Sequence, residues 1–174
     1  MRGAGSERGD AVTIEAATPA HLRLLLSDVP GFESTYDLRV APGYLEFDGA
    51  LANALASLEG GMPARWSTHL FVHVADRALI GIGGYTGPPE NGAVEIGYCI
   101  APAYRGRGLA TAAAAELVAR ARAAGVRTVQ AHTLAQPNPS TGVLTALGFT
   151  RTAELDSEEG PLWRWELPLR AEDT

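Results

Sequence analysis

The chain of 174 residues contains no lysine; all 14 of its basic residues are arginine. A phosphate-binding loop of the lysine-containing kind is therefore excluded. The single cysteine, Cys99, rules out an internal disulfide framework and a cysteine-built zinc site. Acidic residues outnumber basic ones, and a net charge of −6 lacks the footprint of a general nucleic-acid or membrane-surface binder. No apolar run approaches the length of a membrane span, and the first residues lack the apolar core of a secretion signal. These absences lead us to expect a soluble, cytoplasmic protein with no nucleic-acid or membrane partner and no metal.

What is present suffices for one core. Hydrophobic residues make up 46% of the chain, and its length fits a single domain. Met1 to Asp10 is polar and glycine-rich and reads as a disordered tail, leaving residues 11–174 as the domain. Val12 to Ala16 alternates as a strand does; Thr18-Pro19 supplies an N-cap and a first-turn proline for a helix through Leu26. Val29 to Gly43 shows no clear period and reads as a loop or short helix, and Tyr44 to Leu58 has helical spacing up to Gly60-Gly61. His69–Ala75 and Ala78–Tyr85 form a hairpin about Asp76-Arg77, followed by a strand over Ala93–Ile100. A helix over Leu109–Ala124 ends at Gly125. A strand (Val126–Leu134), a short helix (Ser140–Leu147) and two closing strands (Phe149–Leu155, Leu162–Leu169) follow. This order predicts a mixed α/β layout, a central sheet with helices on its faces.

Arg105-Gly-Arg-Gly-Leu-Ala110 stands between a strand and a helix. A helix start exposes unpaired amides, and Gly106 and Gly108 would let the backbone curl around a diphosphate, with Arg105 and Arg107 adding charge. A dinucleotide fingerprint fits poorly: its third small residue would be Thr111, and Gln130 and His132 stand where an acidic residue is needed.

Arg105-x-x-Gly108-x-Ala110 resembles the Gln/Arg-x-x-Gly-x-Gly/Ala signature of the GNAT superfamily of N-acetyltransferases. Val94–Tyr104 and Asn138–Phe149 resemble the flanking segments of that superfamily, most closely those of its ribosomal-protein N-terminal acetyltransferase branch. The likeness covers about residues 69–155. It implies a largely antiparallel, twisted sheet of about seven strands with a splayed pair and helices on both faces. It also implies transfer of an acetyl group from acetyl-CoA to a primary amine, by direct attack in a ternary complex. The acceptor would be a small molecule or a protein N-terminus, and a homodimer is compatible with the likeness. In such enzymes the backbone of Tyr98, Cys99 and Ile100 would pair with the pantetheine arm. Gly106, Arg107, Gly108, Leu109 and Ala110 would hold the diphosphate with Arg105 beside them. Thr111 would add a hydroxyl, and Asn138 and Ser140 would meet the cofactor near its thioester.

Attack by an amine needs a base, and the departing thiolate benefits from a proton donor. Glu95 shares a strand face with Gly97 and Cys99 and is one candidate base. His132, an imidazole that falls where some relatives place a catalytic glutamate, is the other. The family tyrosine that serves as acid is replaced here by Leu144, which leaves Ser140 as the candidate for that role. Loss of the tyrosine also keeps open an acyl-CoA-binding sensor without turnover. The first third of the chain, with its aromatic residues and Glu33, Asp37, Glu46 and Asp48, is the expected source of acceptor specificity.

Overall fold

Local capping rules start the helices. In the computed structural model, which describes residues 11–43 and 48–169, Thr18 Oγ1 accepts from the His21 amide at 3.1 Å while His21 Nδ1 accepts from the Thr18 amide at 3.0 Å. This reciprocal box opens α1 (Pro19–Ser27), and Asp28 caps α2 (Val29–Tyr36) by accepting from Gly31. The expected tail and residues 44–47, among them Tyr44, Glu46 and Phe47, lie outside the described residues. The patternless Val29–Gly43 stretch resolves into α2 and a two-residue strand, β2 (Arg39–Val40). Two residues are too few to show a hydrophobic period, and with β2 the described residues form eight strands against the about seven expected.

The rest follows the predicted order. The strands are β1 (Val12–Ala16), β3 (Thr68–His73), β4 (Ala78–Tyr85), β5 (Ala93–Ile100), β6 (Thr128–Leu134), β7 (Thr150–Leu155) and β8 (Leu162–Pro168). The helices after α2 are α3 (Asp48–Glu59), α4 (Leu109–Ala123) and α5 (Pro139–Ala146). The strand order is β1-β3-β4-β5-β6-β8-β7, with β2 added on β4. Pairing is antiparallel except at β5–β6 and β2–β4.

The long helix α4 lies on one face of the sheet. Its Leu109, Ala113, Leu117 and Ala121 are at most 2% exposed, and Val94 and Ile96 of β5 are buried in the same core. Each leucine so buried contributes on the order of 1.5–3 kcal/mol. The Tyr85 hydroxyl donates to the Leu117 carbonyl beneath the helix, and burial pushes its pKa up to about 12. Helix α4 ends at Ala124, and Gly125 takes φ 86°, the left-handed conformation that stops it.

One feature of the sheet positions the site. Strand β5 pairs with β6 only over Ala93–Glu95, the last pair being Glu95–Gln130. With β4 it pairs over Ile96–Ile100. Past Glu95, therefore, β5 and β6 diverge.

Candidate active site

The divergence leaves an unpaired strand edge. The Glu95 carbonyl accepts from Thr86 and the Ala101 amide donates to Ile80, so odd-numbered residues of β5 turn their backbone groups toward β4. By alternation, the amides and carbonyls of Ile96, Tyr98 and Ile100 face the gap. The backbone of Cys99 is directed at β4, and its side chain lies on the opposite face from α4. At Ile100 the carbonyl is already taken by Arg105 Nε at 2.9 Å, which leaves its amide.

A cavity of about 270 Å³ lies beyond the end of β5, between Ile100, the Arg105–Thr111 turn and the start of α5 at Pro139. Gly106 and Gly108 adopt φ 75° and 77°, and a Cβ at either would meet nothing within 4 Å, so the loop is open toward solvent. Gly108 is the N-cap of α4 and offers no side-chain cap. The amides of Leu109, Ala110 and Thr111 thus begin the helix without intrahelical partners. Backbone amides at a helix start beside an open strand edge fit a diphosphate with an extended arm. The arginines of the turn are partly engaged within the fold. Arg105 closes the end of β5, and the Arg107 guanidinium lies 5.2 Å from the Tyr104 ring and 3.5 Å from His73 Nε2.

At the start of α5, Asn138 acts as the N-cap, accepting from Thr141 at 3.1 Å and donating to Gln136 at 3.2 Å. Its side chain, expected at the cofactor, is thus occupied in shaping the loop. Ser140 lies in the first turn, and its carbonyl accepts from the Tyr98 hydroxyl at 3.4 Å across the gap. Burial pushes the Tyr98 pKa up to about 12, keeping the phenol protonated. Leu144 is fully buried and packs in the core.

The two candidate bases meet each other. His132 Nδ1 lies 3.2 Å from Glu95 Oε2, on the sheet face away from α4. Arg164 of β8, directly opposite His132 in register, donates Nε–H to His132 Nε2 at 3.3 Å. A ring nitrogen that accepts from a guanidinium carries no proton. With Nε2 placed to accept from Arg164, Nδ1 is the ring nitrogen that faces Glu95. The His132 nitrogen remote from Glu95 is thus engaged by Arg164. Arg164 was missed because cross-strand register cannot be read from spacing alone.

Two clefts lie along this part of β5, and Glu95 lines the second. One, of about 370 Å³, is walled by Ala50, Ile82, Gly84, Gly97, Tyr98 and Cys99. The other, of about 580 Å³, includes Glu90, Asn91, Glu95 and Gln130, and the two share Thr86. His69 and His73 line neither. A bulge at Phe71–Val72 separates them, and each is only 1% exposed. His69 donates to the Ser67 carbonyl, and burial lowers its pKa. Of the early acidic residues, Glu33 accepts from the Val40 amide at 2.9 Å and Asp37 pairs with Arg77. Both are engaged in the fold. The Asp48 side chain lies outside the described residues. Among the described residues, no group of three or more His, Cys, Asp or Glu is placed to hold a metal ion, and no helix is long and apolar enough to cross a membrane.

A family model described as an acetyltransferase (GNAT) domain matches residues 22–150. No curated protein sequence matches significantly. Among solved structures, a spermidine N-acetyltransferase from Vibrio cholerae is similar at 15% identity and TM-score 0.65, over 91% of this chain and 94% of that one. The ribosomal L7/L12 α-N-protein acetyltransferase RimL, solved with coenzyme A, is similar at 16% identity and TM-score 0.66, over 92% and 96%. The microcin C7 self-immunity acetyltransferase MccE, solved with acetyl-CoA and AMP, is similar at 12% identity and TM-score 0.65, over 93% and 94%.

Proposed function

The chain belongs to the GNAT acetyltransferase family, and we propose that it moves an acetyl group from acetyl-CoA to a primary amine by direct attack, with both substrates bound together. The carrying observation is the contact of Glu95 with His132 at 3.2 Å beside the point where β5 and β6 part. Acetyl-CoA supplies the activated acyl group as a thioester.

The chain's own groups do the rest. The amides of Leu109, Ala110 and Thr111, with those of the glycine turn, would hold the diphosphate. Backbone groups of Tyr98 and the Ile100 amide would pair with the pantetheine arm as an added strand does. Glu95 accepts a proton from the acceptor's ammonium, directly or through water. His132 donates Nδ1–H to Glu95, and Arg164 holds His132 in that tautomer. An amide on the open edge of β5 would take the developing oxyanion. Ser140, whose carbonyl meets the Tyr98 hydroxyl across the gap, would give a hydrogen bond to the departing sulfur. Direct attack is favoured by the layout: the cavity at Arg105–Thr111 and the clefts at Glu95 open on different parts of β5, so donor and acceptor need not exchange places.

Thermal unfolding in the presence of acetyl-CoA tests the donor half. At about a hundred times Kd, binding should add ~2.7 kcal/mol of stability. No shift at saturating acetyl-CoA would remove the basis of the proposal. The buried Leu144, in place of the family tyrosine, favours a second reading as a sensor that binds without turnover. Amine-dependent release of free thiol separates the two.

A further inference from the structure

We propose that the acceptor is a small primary amine with an apolar body, aliphatic or aromatic. Its body would lie in the glycine-walled cleft beside β5, with its ammonium at Glu95. The inference rests on the acetyl transfer proposed above.

Gly97 carries the argument. Three glycines border this cleft, and for two the fold itself demands glycine. A Cβ at Gly84 would stand 2.1 Å from the Ser67 carbonyl oxygen, and one at Gly83 would stand 2.6 Å from that of Gly97. Gly97 is different. A Cβ there would meet nothing within 4 Å, and its φ is not in the left-handed range. Glycine inside a strand weakens it, and here neither crowding nor backbone conformation requires it. A side chain at this position would project into the cleft, so what glycine preserves is the empty volume.

The chemistry of that volume selects the occupant. Among the described residues, the walls are carbon, with backbone, the Thr68 and Thr86 hydroxyls and the Cys99 thiol as polar groups; no charged side chain lines it. A cationic or heavily hydroxylated body would lose hydration there without compensating partners, whereas an apolar one gains by leaving water. The size is ample: a cavity of about 150 Å³ holds a benzene molecule, and this cleft measures about 370 Å³. The position is also right. Glu95 and Gly97 are two residues apart on one strand face, about 7 Å along the strand. An ammonium at the carboxylate thus leaves its substituent over Gly97. The neighbouring cleft with Glu90 and Glu95 is polar and would suit a polycation, which makes a polyamine the competing occupant.

Steady-state thiol release with 2-phenylethylamine and spermidine decides between them. The cleft predicts a kcat/KM for 2-phenylethylamine higher by about tenfold or more. Equal or better use of spermidine would overturn the apolar acceptor and leave acetyl transfer standing. Release with no primary amine, in protein that acetyl-CoA still stabilises, would overturn both. Gly97→Val supplies a second arm, with stabilisation by acetyl-CoA reporting that the variant is folded. It should lower kcat/KM for 2-phenylethylamine about tenfold more than for methylamine; an equal loss on the two amines would overturn the proposal.

Discussion

Glu95, His132 and Arg164 come from three strands and make one line of contacts across the sheet. The guanidinium at one end and the carboxylate at the other hold the imidazole between them, with Nδ1 facing Glu95. Replacing Arg164 by Gln leaves His132 Nε2 without its charged donor. A hydrogen bond to a charged group is worth ~1.5–3 kcal/mol, so kcat should fall about tenfold or more, with KM for acetyl-CoA little changed. Nitrogen NMR of the imidazole reads the same loss as a change in tautomer; retention of the Nδ1–H form and full kcat would show Arg164 to be incidental. A second residue-scale prediction concerns His69. Burial holds its pKa below the ordinary value of 6.5, so the unfolded chain binds a proton that the native state resists. Its contribution should be complete above that value and be lost progressively as pH falls below it. Melting temperature followed from pH 8 to 5 should drop, and His69→Gln should flatten the drop; equal slopes in the two proteins would contradict this. Glu95 was legible from alternation, since strand period places it with Gly97 and Cys99. Arg164 was not, because its role depends on which residue of β6 it faces.

At the scale of elements, the parting of β5 from β6 and the start of α4 together make the donor site. The Arg105–Ala110 turn was visible in sequence because it resembles the family signature and stands between flanking segments that resemble the family's as well. Strand β2 was invisible, being only two residues long. The fate of the turn's arginines also needed the fold, since Arg105 bonds the Ile100 carbonyl through a side chain that spacing does not orient. The site suggests a variant that separates binding from folding. At Gly108, where φ is 77°, any L side chain would strain the backbone as well as block the site. Thr111→Glu avoids that ambiguity. An acidic side chain in the first turn favours the helix dipole by ~0.3–1 kcal/mol, yet sets negative charge against a diphosphate. The variant should melt no lower than the parent and gain nothing from acetyl-CoA; a full thermal shift would place the diphosphate elsewhere.

At the scale of the whole molecule, one face of the sheet carries α4 with Val94 and Ile96 of β5 packed in the core beneath it, and the other carries Glu95, His132 and the glycine-walled cleft. Strand β5 serves both, since alternate residues supply core contacts and site groups while its unpaired edge is left for the donor. The family match beginning at residue 22 reaches into the first third of the chain, where the sequence showed no likeness. In that third, helix caps are local signals, while the packing of α1–α3 is not. Phe32, for instance, reads equally as pocket or core, and it is fully buried against Tyr36 and His21. The claim that joins both faces is acetyl transfer with Glu95 as base. Thiol release from acetyl-CoA under a primary amine, compared between the parent chain and Glu95→Gln, tests it most directly. The account predicts amine-dependent release in the parent and a loss on the order of 10²–10⁴-fold in the variant, with equal stabilisation of both proteins by acetyl-CoA. Equal turnover by the two proteins would contradict it.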